Sequence, residues 1–270
     1  NVYALNGYVG QGWPPGDNSL LTARRVLSVL AGCHIRAYER IHRLREEMGY
    51  SDTKVGFALH MRAFTARNPK NPVASVSTAI ERSWFQNVML KAFACGDFHF
   101  PLENLGHFRK GIYSDFLGVN YYTRSMVGKI GDNLTREDAP KTDFGWEIYA
   151  EGLTECVREA SAVLPGAPVW ITENGVCDSG DAFRCRFIYE QLREIAREHL
   201  PVERYYYWSL LDNFEWMDGE SRRFGLIYVD YGTQKRTVKK SGDFYRQIID
   251  HRGVSEDMYR TFVSGEEYHK

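Results

Sequence analysis

The chain has 270 residues, 43% of them hydrophobic, and balances 34 Lys+Arg against 35 Asp+Glu for a formal net charge of −1. That is too apolar for a disordered chain, and it offers no bulk attraction to nucleic acid or to an anionic membrane. No run of about 18 apolar residues occurs, so no helical membrane span is expected. Residues 1–8 (NVYALNGY) carry neither Met nor a basic-then-apolar signal pattern and read as a start inside a longer chain.

Residues 7–16 (GYVGQGWPPG) read as a loop from their Gly and Pro content. A helix is expected over 19–48, capped by Ser19, with an apolar stripe at Val26, Leu30, Cys33, Ala37, Ile41, Leu44 and Met48. A short buried strand follows at 55–60, then a helix at 73–95. Further strands are expected at 115–122, 168–172 and 204–210, and further helices at 151–164, 183–200 and about 241–250. No internal repeat or long linker interrupts this order, so residues 1–270 are expected to form a single domain. Short apolar strands alternating with amphipathic helices are the pattern of an α/β protein with a parallel sheet. The pattern alone fits an open sheet or a barrel, and in both designs chemistry gathers at the C-terminal ends of the strands.

Glu173 stands at such an end, directly after the V-W-I-T strand. A carboxylate there is either a poised functional group or an ordinary loop charge. The run W-S-L-L-D-N-F-E-W at 208–216 brackets Glu215 with Trp208 and Trp216. Indole faces suit the C–H faces of a sugar ring, and a carboxylate accepts hydroxyl hydrogen bonds; the plainer reading is core packing with a surface charge. Asn120, Tyr121 and Tyr122 end another strand and are, by themselves, compatible with simple packing.

Other chemistries find little footing. The eight histidines show no H-E-x-x-H or H-x-H spacing, so no metal is expected; His34 and His42 lie too far apart to share one, and Cys33 and His34 read as core and surface. The five cysteines are scattered, odd in number and form no C-x-x-C pair, which favours a reducing, cytoplasmic setting. The glycines at 7, 10 and 12 follow no strand, and no nucleotide-binding or G-x-S-x-G motif occurs, so no cofactor is expected. The basic pairs Arg222-Arg223 and Lys239-Lys240 read as solvated surface.

Taken together, F-L-G-V-N-Y-Y-T at 116–123, G-W-E-I-Y at 145–149, I-T-E-N-G at 171–175, W-S-L-L-D-N-F-E-W at 208–216 and R-F-G-L-I-Y-V-D-Y at 223–231 resemble glycoside hydrolase family 1, the β-glucosidase family. The resemblance implies a TIM (β/α)8 barrel and retaining hydrolysis of β-linked sugars. It implies that Glu173 is the nucleophile, that Tyr122 orients it, and that Asn120 lies near the acid/base. Trp208 would be the floor under the sugar, Glu215 and Trp216 would bind its hydroxyls, Phe224 would pack near C6, and Trp146 would line the aglycone side. Relatives acting on 6-phosphorylated sugars place a small residue where Glu215 stands. A carboxylate beside a phosphate would repel it, so unphosphorylated β-glucosides or β-galactosides are the expected substrates.

The family's acid/base Glu lies in a T-x-N-E-P motif that, in relatives, directly precedes the segment matching residues 1–8. By this alignment the chain corresponds to about strands 5–8, roughly the C-terminal 60% of the barrel, without its acid/base. Half of a barrel leaves open edges, so the expected partner besides the sugar is the missing half, on the same or another chain, or a second copy. Alone, the chain is expected to be inactive. A sugar-binding or complementing subunit without its own chemistry is the alternative.

Overall fold

The computed structural model describes residues 1–10 and 12–269. In chain order the elements are α1 (Val2–Tyr8), α2 (Leu20–Glu47), β1 (Phe57–Ala66), α3 (Pro72–Arg82), α4 (Val88–Cys95), β2 (Leu117–Val127), α5 (Glu151–Val163), β3 (Val169–Asn174), α6 (Arg184–Arg197), β4 (Val202–Tyr207), the short strands β5 (Ile227–Val229) and β6 (Arg236–Val238), and α7 (Lys240–His251). Strands β1 to β4 form one parallel sheet whose spatial order follows the chain, as in a barrel wall.

Alternation along each strand divides the sheet into two faces. One face carries Leu59, Met61, Leu117, Val119, Tyr121, Val169 and Ile171, all buried together with Leu153, Val157 and Ala160 of α5 and with α4. The other carries His60, Arg62, Asn120 and Tyr122 toward the C-terminal ends of the strands. Lower on that face Phe116 stacks on Trp170 at 3.7 Å, and Arg204 lies 4.3 Å over the same indole. Tyr206, next along β4, is 45% exposed. Strands β1 and β4 each have a neighbour in this sheet on one side only. A sheet with one covered face, one open face and two unpaired edges is the geometry of a barrel wall seen from inside.

Several local expectations shift. Gly7 and Tyr8 end helix α1 rather than opening a loop; Asn1 caps it by accepting from the Val2 N–H at 2.9 Å. Helix α2 starts where expected, with Ser19 Oγ accepting from the Thr22 N–H, but it buries Ala23, Leu27, Ala31 and Ile35. Leu30, Ile41, Leu44 and Met48 stay exposed, so the expected stripe lies on the other side. The buried face carries Gly32, which lets α2 approach closely: a Cβ there would meet the Phe108 ring at 2.8 Å. For the same reason Cys33 is exposed and His34 is half-buried, its Nε2 2.7 Å from the Tyr113 carbonyl oxygen, the reverse of their expected places. The helix expected over 73–95 is interrupted by a π turn at Ser83–Asn87.

The two basic pairs are not simply solvated. Lys239 and Arg223 both converge on the fully buried Asp212, at 2.9 and 3.3 Å. Asp212 also accepts from the Gly225 N–H, so the segment after β4 folds around one buried carboxylate. A buried charge is tolerable only when paired and hydrogen-bonded in this way.

Truncating Leu153, fully buried where α5 crosses the sheet, should cost about 2–5 kcal/mol. Urea unfolding of Leu153→Ala checks this; an unchanged midpoint would mean that α5 is not part of the cooperative core.

Candidate active site

The C-terminal ends of β1 to β4 and the loops beyond them enclose a cavity of about 560 Å³. Glu173, Asn120, Tyr122, Trp146, Trp208, Glu215, Trp216 and Phe224 all line it. The eight residues singled out in the sequence come from five separate segments, and the fold brings them to one place.

Glu173 is set by what surrounds it in sequence. The next residue, Asn174, is fully buried; its side-chain nitrogen donates to the Tyr121 carbonyl at 2.8 Å and its side-chain oxygen accepts from Tyr205 at 2.7 Å. One amide therefore ties the end of β3 to β2 and β4. The Trp208 N–H donates to the Asn174 carbonyl. At Gly175 a Cβ would sit 1.8 Å from the Trp208 carbonyl oxygen, so only glycine lets the two strand ends close together. Between them, these contacts hold the carboxylate and the indole at adjacent strand ends.

Tyr122 donates its hydroxyl hydrogen to Glu173 Oε2 at 2.6 Å. Burial pushes the Glu173 carboxyl above its ordinary range, while Tyr122 and Asn120 act in the opposite direction. The Tyr122 phenol is pushed well up, first by burial and then by the neighbouring carboxylate, so it remains a donor. Asn120 accepts from the Thr172 hydroxyl at 2.5 Å, which fixes the orientation of its amide. Burial also raises the Glu215 carboxyl, with Asp218 and Glu173 adding repulsion. Trp146 stacks on Phe144 at 4.6 Å and, with Phe224, packs around Tyr122 to form an apolar wall.

Of the lining residues that sequence reasoning missed, four bear on the site's shape and charge. His60 and Arg62 project into the cavity from β1, which runs six residues past its expected end at 60; their i, i+2 spacing was the available signal. Phe144 lies two residues before Trp146. Trp13, from the loop after α1, stacks on Trp216 at 3.9 Å across the rim. A further residue acts from behind the wall. Fully buried Arg184 donates to the carbonyls of Val176 and Phe224 and to Tyr207, joining the loop after β3 to the loop after β4. Among the described residues, no group of three or more His, Cys, Asp or Glu is placed to hold a metal, and no helix is long and apolar enough to cross a membrane.

The Glycosyl hydrolase family 1 model matches residues 1–254. The chain belongs to this family. Beta-glucosidase A of Thermotoga maritima is 29% identical over 283 residues, covering 94% of this chain and 62% of the relative. The solved structure of the beta-glycosidase from Pyrococcus horikoshii superposes with a TM-score of 0.84 at 29% identity, over 97% of this chain and 61% of that one. The Thermotoga maritima beta-glucosidase in complex with glucoimidazole superposes with a TM-score of 0.81 at 28% identity. The chain therefore spans about three-fifths of the length of these relatives, and its four strands are part of the family's TIM barrel.

The raised carboxyl pKa has a measurable consequence. The folded chain holds the Glu173 proton more tightly than the unfolded chain, so the stabilisation is complete at low pH. It is lost as pH rises from the ordinary value of 4.5 through the folded-state pKa. Glu173→Gln, which cannot ionise, should raise the melting temperature at pH 7 and converge with the parent below pH 4.5. A variant less stable than the parent at pH 7 would mean that the carboxylate, not its neutral form, is favoured by the fold.

Proposed function

We propose that this chain forms the nucleophile-bearing part of a retaining β-glycosidase acting on unphosphorylated β-glucosides or β-galactosides. The observation that carries this reading is the Glu173 carboxylate, hydrogen-bonded by Tyr122 at a strand end inside a cavity walled by indoles and a second carboxylate. Tyr122 engages Oε2, which leaves Oε1 to attack the anomeric carbon. The C1–O bond to Glu173 forms as the bond to the leaving group breaks, giving a covalent glycosyl-enzyme. Water then displaces the carboxylate with overall retention.

Trp208 offers its face to the sugar ring, and Glu215 with Trp216 accepts and donates hydrogen bonds at its hydroxyls. Phe224 packs against the C6 end, Trp146 lines the aglycone side, and Asn120 steadies the nucleophile from the neighbouring strand. A phosphate near Glu215 would meet a like charge in a partly desolvated pocket, which favours the unphosphorylated sugar.

Retention needs a second carboxyl group about 5–5.5 Å from the first, acting as acid and then as base. We assign that group to a complementary barrel half, which pairs with the free edges of β1 and β4 and covers Phe116, Trp170 and Tyr206. Self-association of two copies is the competing way to cover the same surface. It would bring two Glu173 residues together without a dedicated acid.

Assays on an aryl β-glucoside test both parts of the proposal. The chain alone should hydrolyse it at background rate, and a polypeptide supplying the complementary strands should restore turnover. In the restored assembly Glu173→Gln should return the rate to background. Substantial turnover by that variant would remove Glu173 from the role of nucleophile. Turnover by the chain alone would remove the need for a second half.

A further inference from the structure

Among the described residues, Arg62 at the mouth of the cavity pairs with no carboxylate. Its Nε donates to His60 Nε2 at 3.1 Å, and its Nη1 donates to Ser125 Oγ at 3.2 Å and to Asn133 Oδ1 at 3.0 Å. All three partners are neutral. Nη2 makes no protein hydrogen bond among the described residues. The Phe85 ring lies 5.5 Å from the guanidinium carbon and fixes one side of the plane. Ser125 in turn donates to Asn133 at 2.7 Å, and a bridge between Met126 and Leu134 holds that loop against β2. The guanidinium is therefore braced by several groups that do not neutralise it.

Burial lowers its pKa only to about 10, so it stays charged at neutral pH. Burial and the nearby Arg62 push the His60 imidazole well below its ordinary range, so His60 is neutral and accepts at Nε2. A cation held this way is completed by an anion, and the two hydrogens left on Nη2 can donate to a carboxylate oxygen.

Position says which part of a glycoside would supply that anion. His60 is in register with Asn120, and Asn120 with Glu173. Two strand spacings, about 10 Å, separate β1 from β3, and Arg62 lies a further two residues toward the mouth. Trp208 and Glu215 both follow the end of β4, on the other side of Glu173. A sugar held by that side and attacked at Glu173 directs its leaving group toward β1.

We infer that Arg62 is a specificity-determining residue that favours leaving groups bearing a carboxylate. The inference rests on the proposed sugar site, and it extends that reading to the chemical class of the aglycone.

Calorimetric titration of the 270-residue chain tests it with paired ligands that are not turned over: phenyl 1-thio-β-D-glucoside and its 4-carboxyphenyl counterpart. The ratio of their affinities is read within each protein, so a general loss of fit cancels. The parent chain should bind the carboxylated ligand about tenfold more tightly. Arg62→Gln should bring the ratio to about one, and Arg62→Lys should keep part of the preference. A ratio of one in the parent, or a ratio that survives Arg62→Gln, overturns the inference. So does an Arg62-dependent preference for glucose 6-phosphate over glucose, because the anion would then belong to the sugar. If neither thioglucoside binds, the sugar site itself is refuted in this chain, and benzoate against benzyl alcohol decides the role of Arg62. A preference for benzoate that Arg62→Gln removes upholds that role; no such preference overturns it.

Discussion

The site depends on a single close approach between two strand ends. Gly175 has no side chain, and the Trp208 carbonyl occupies the space where a Cβ would be. Asn174, buried beside it, uses both ends of its amide to bind β2 and β4. These two residues determine where Glu173 stands relative to Tyr122 and Trp208. Their effect is local and steric, and it needs no contact with a ligand. The N-G that follows the glutamate in the sequence is thus as much a part of the site as the acid itself.

Buried charge does the rest of the positioning. Asp212, held between Lys239 and Arg223, folds the segment that carries Glu215 and Trp216, and Arg184 ties the same region to the loop after β3. Such ion pairs add little net stability against apolar replacements of the same shape, but removing one partner is costly. They tie the loops after β3 and β4 to each other. The wall formed by Tyr122, Trp146 and Phe224 includes one residue of the tied segment, Phe224.

The lining residues were legible by two routes: Asn120, Tyr122, Glu173 and Trp208 stand at or just beyond the ends of apolar strands, where chain direction says which end faces the pocket, whereas Trp146 and Phe224 came only through the family resemblance. The helix and strand order was legible from the apolar pattern as well. What escaped notice depended on contacts between distant segments. Helix α2 buries the face that carries Gly32, Leu27 and Ile35, where Phe108 arrives from elsewhere, so Leu30, Ile41, Leu44 and Met48 of the expected stripe stay outside. Arg223 and Lys239 looked like solvated surface until Asp212 came between them. His60 was read as the last residue of its strand and Arg62 fell beyond it, because Arg62 and Thr65 interrupt the apolar run through which β1 continues. Trp13 was read only as part of a glycine-rich loop, and its stack on Trp216 joins residues about two hundred positions apart.

The account stands on Glu173 as the atom donor in a covalent bond to a sugar's anomeric carbon. The most direct measurement is peptide mass spectrometry after exposing the complete barrel assembly to a 2-deoxy-2-fluoro-β-glucoside with a good leaving group. The account predicts one added fluoroglucosyl mass, carried by the peptide containing Ile171-Thr172-Glu173-Asn174-Gly175 and lost on prolonged incubation with an acceptor. Label on another carboxylate, Glu215 above all, would contradict it, as would an active assembly that turns over ordinary glycosides yet carries no label at Glu173.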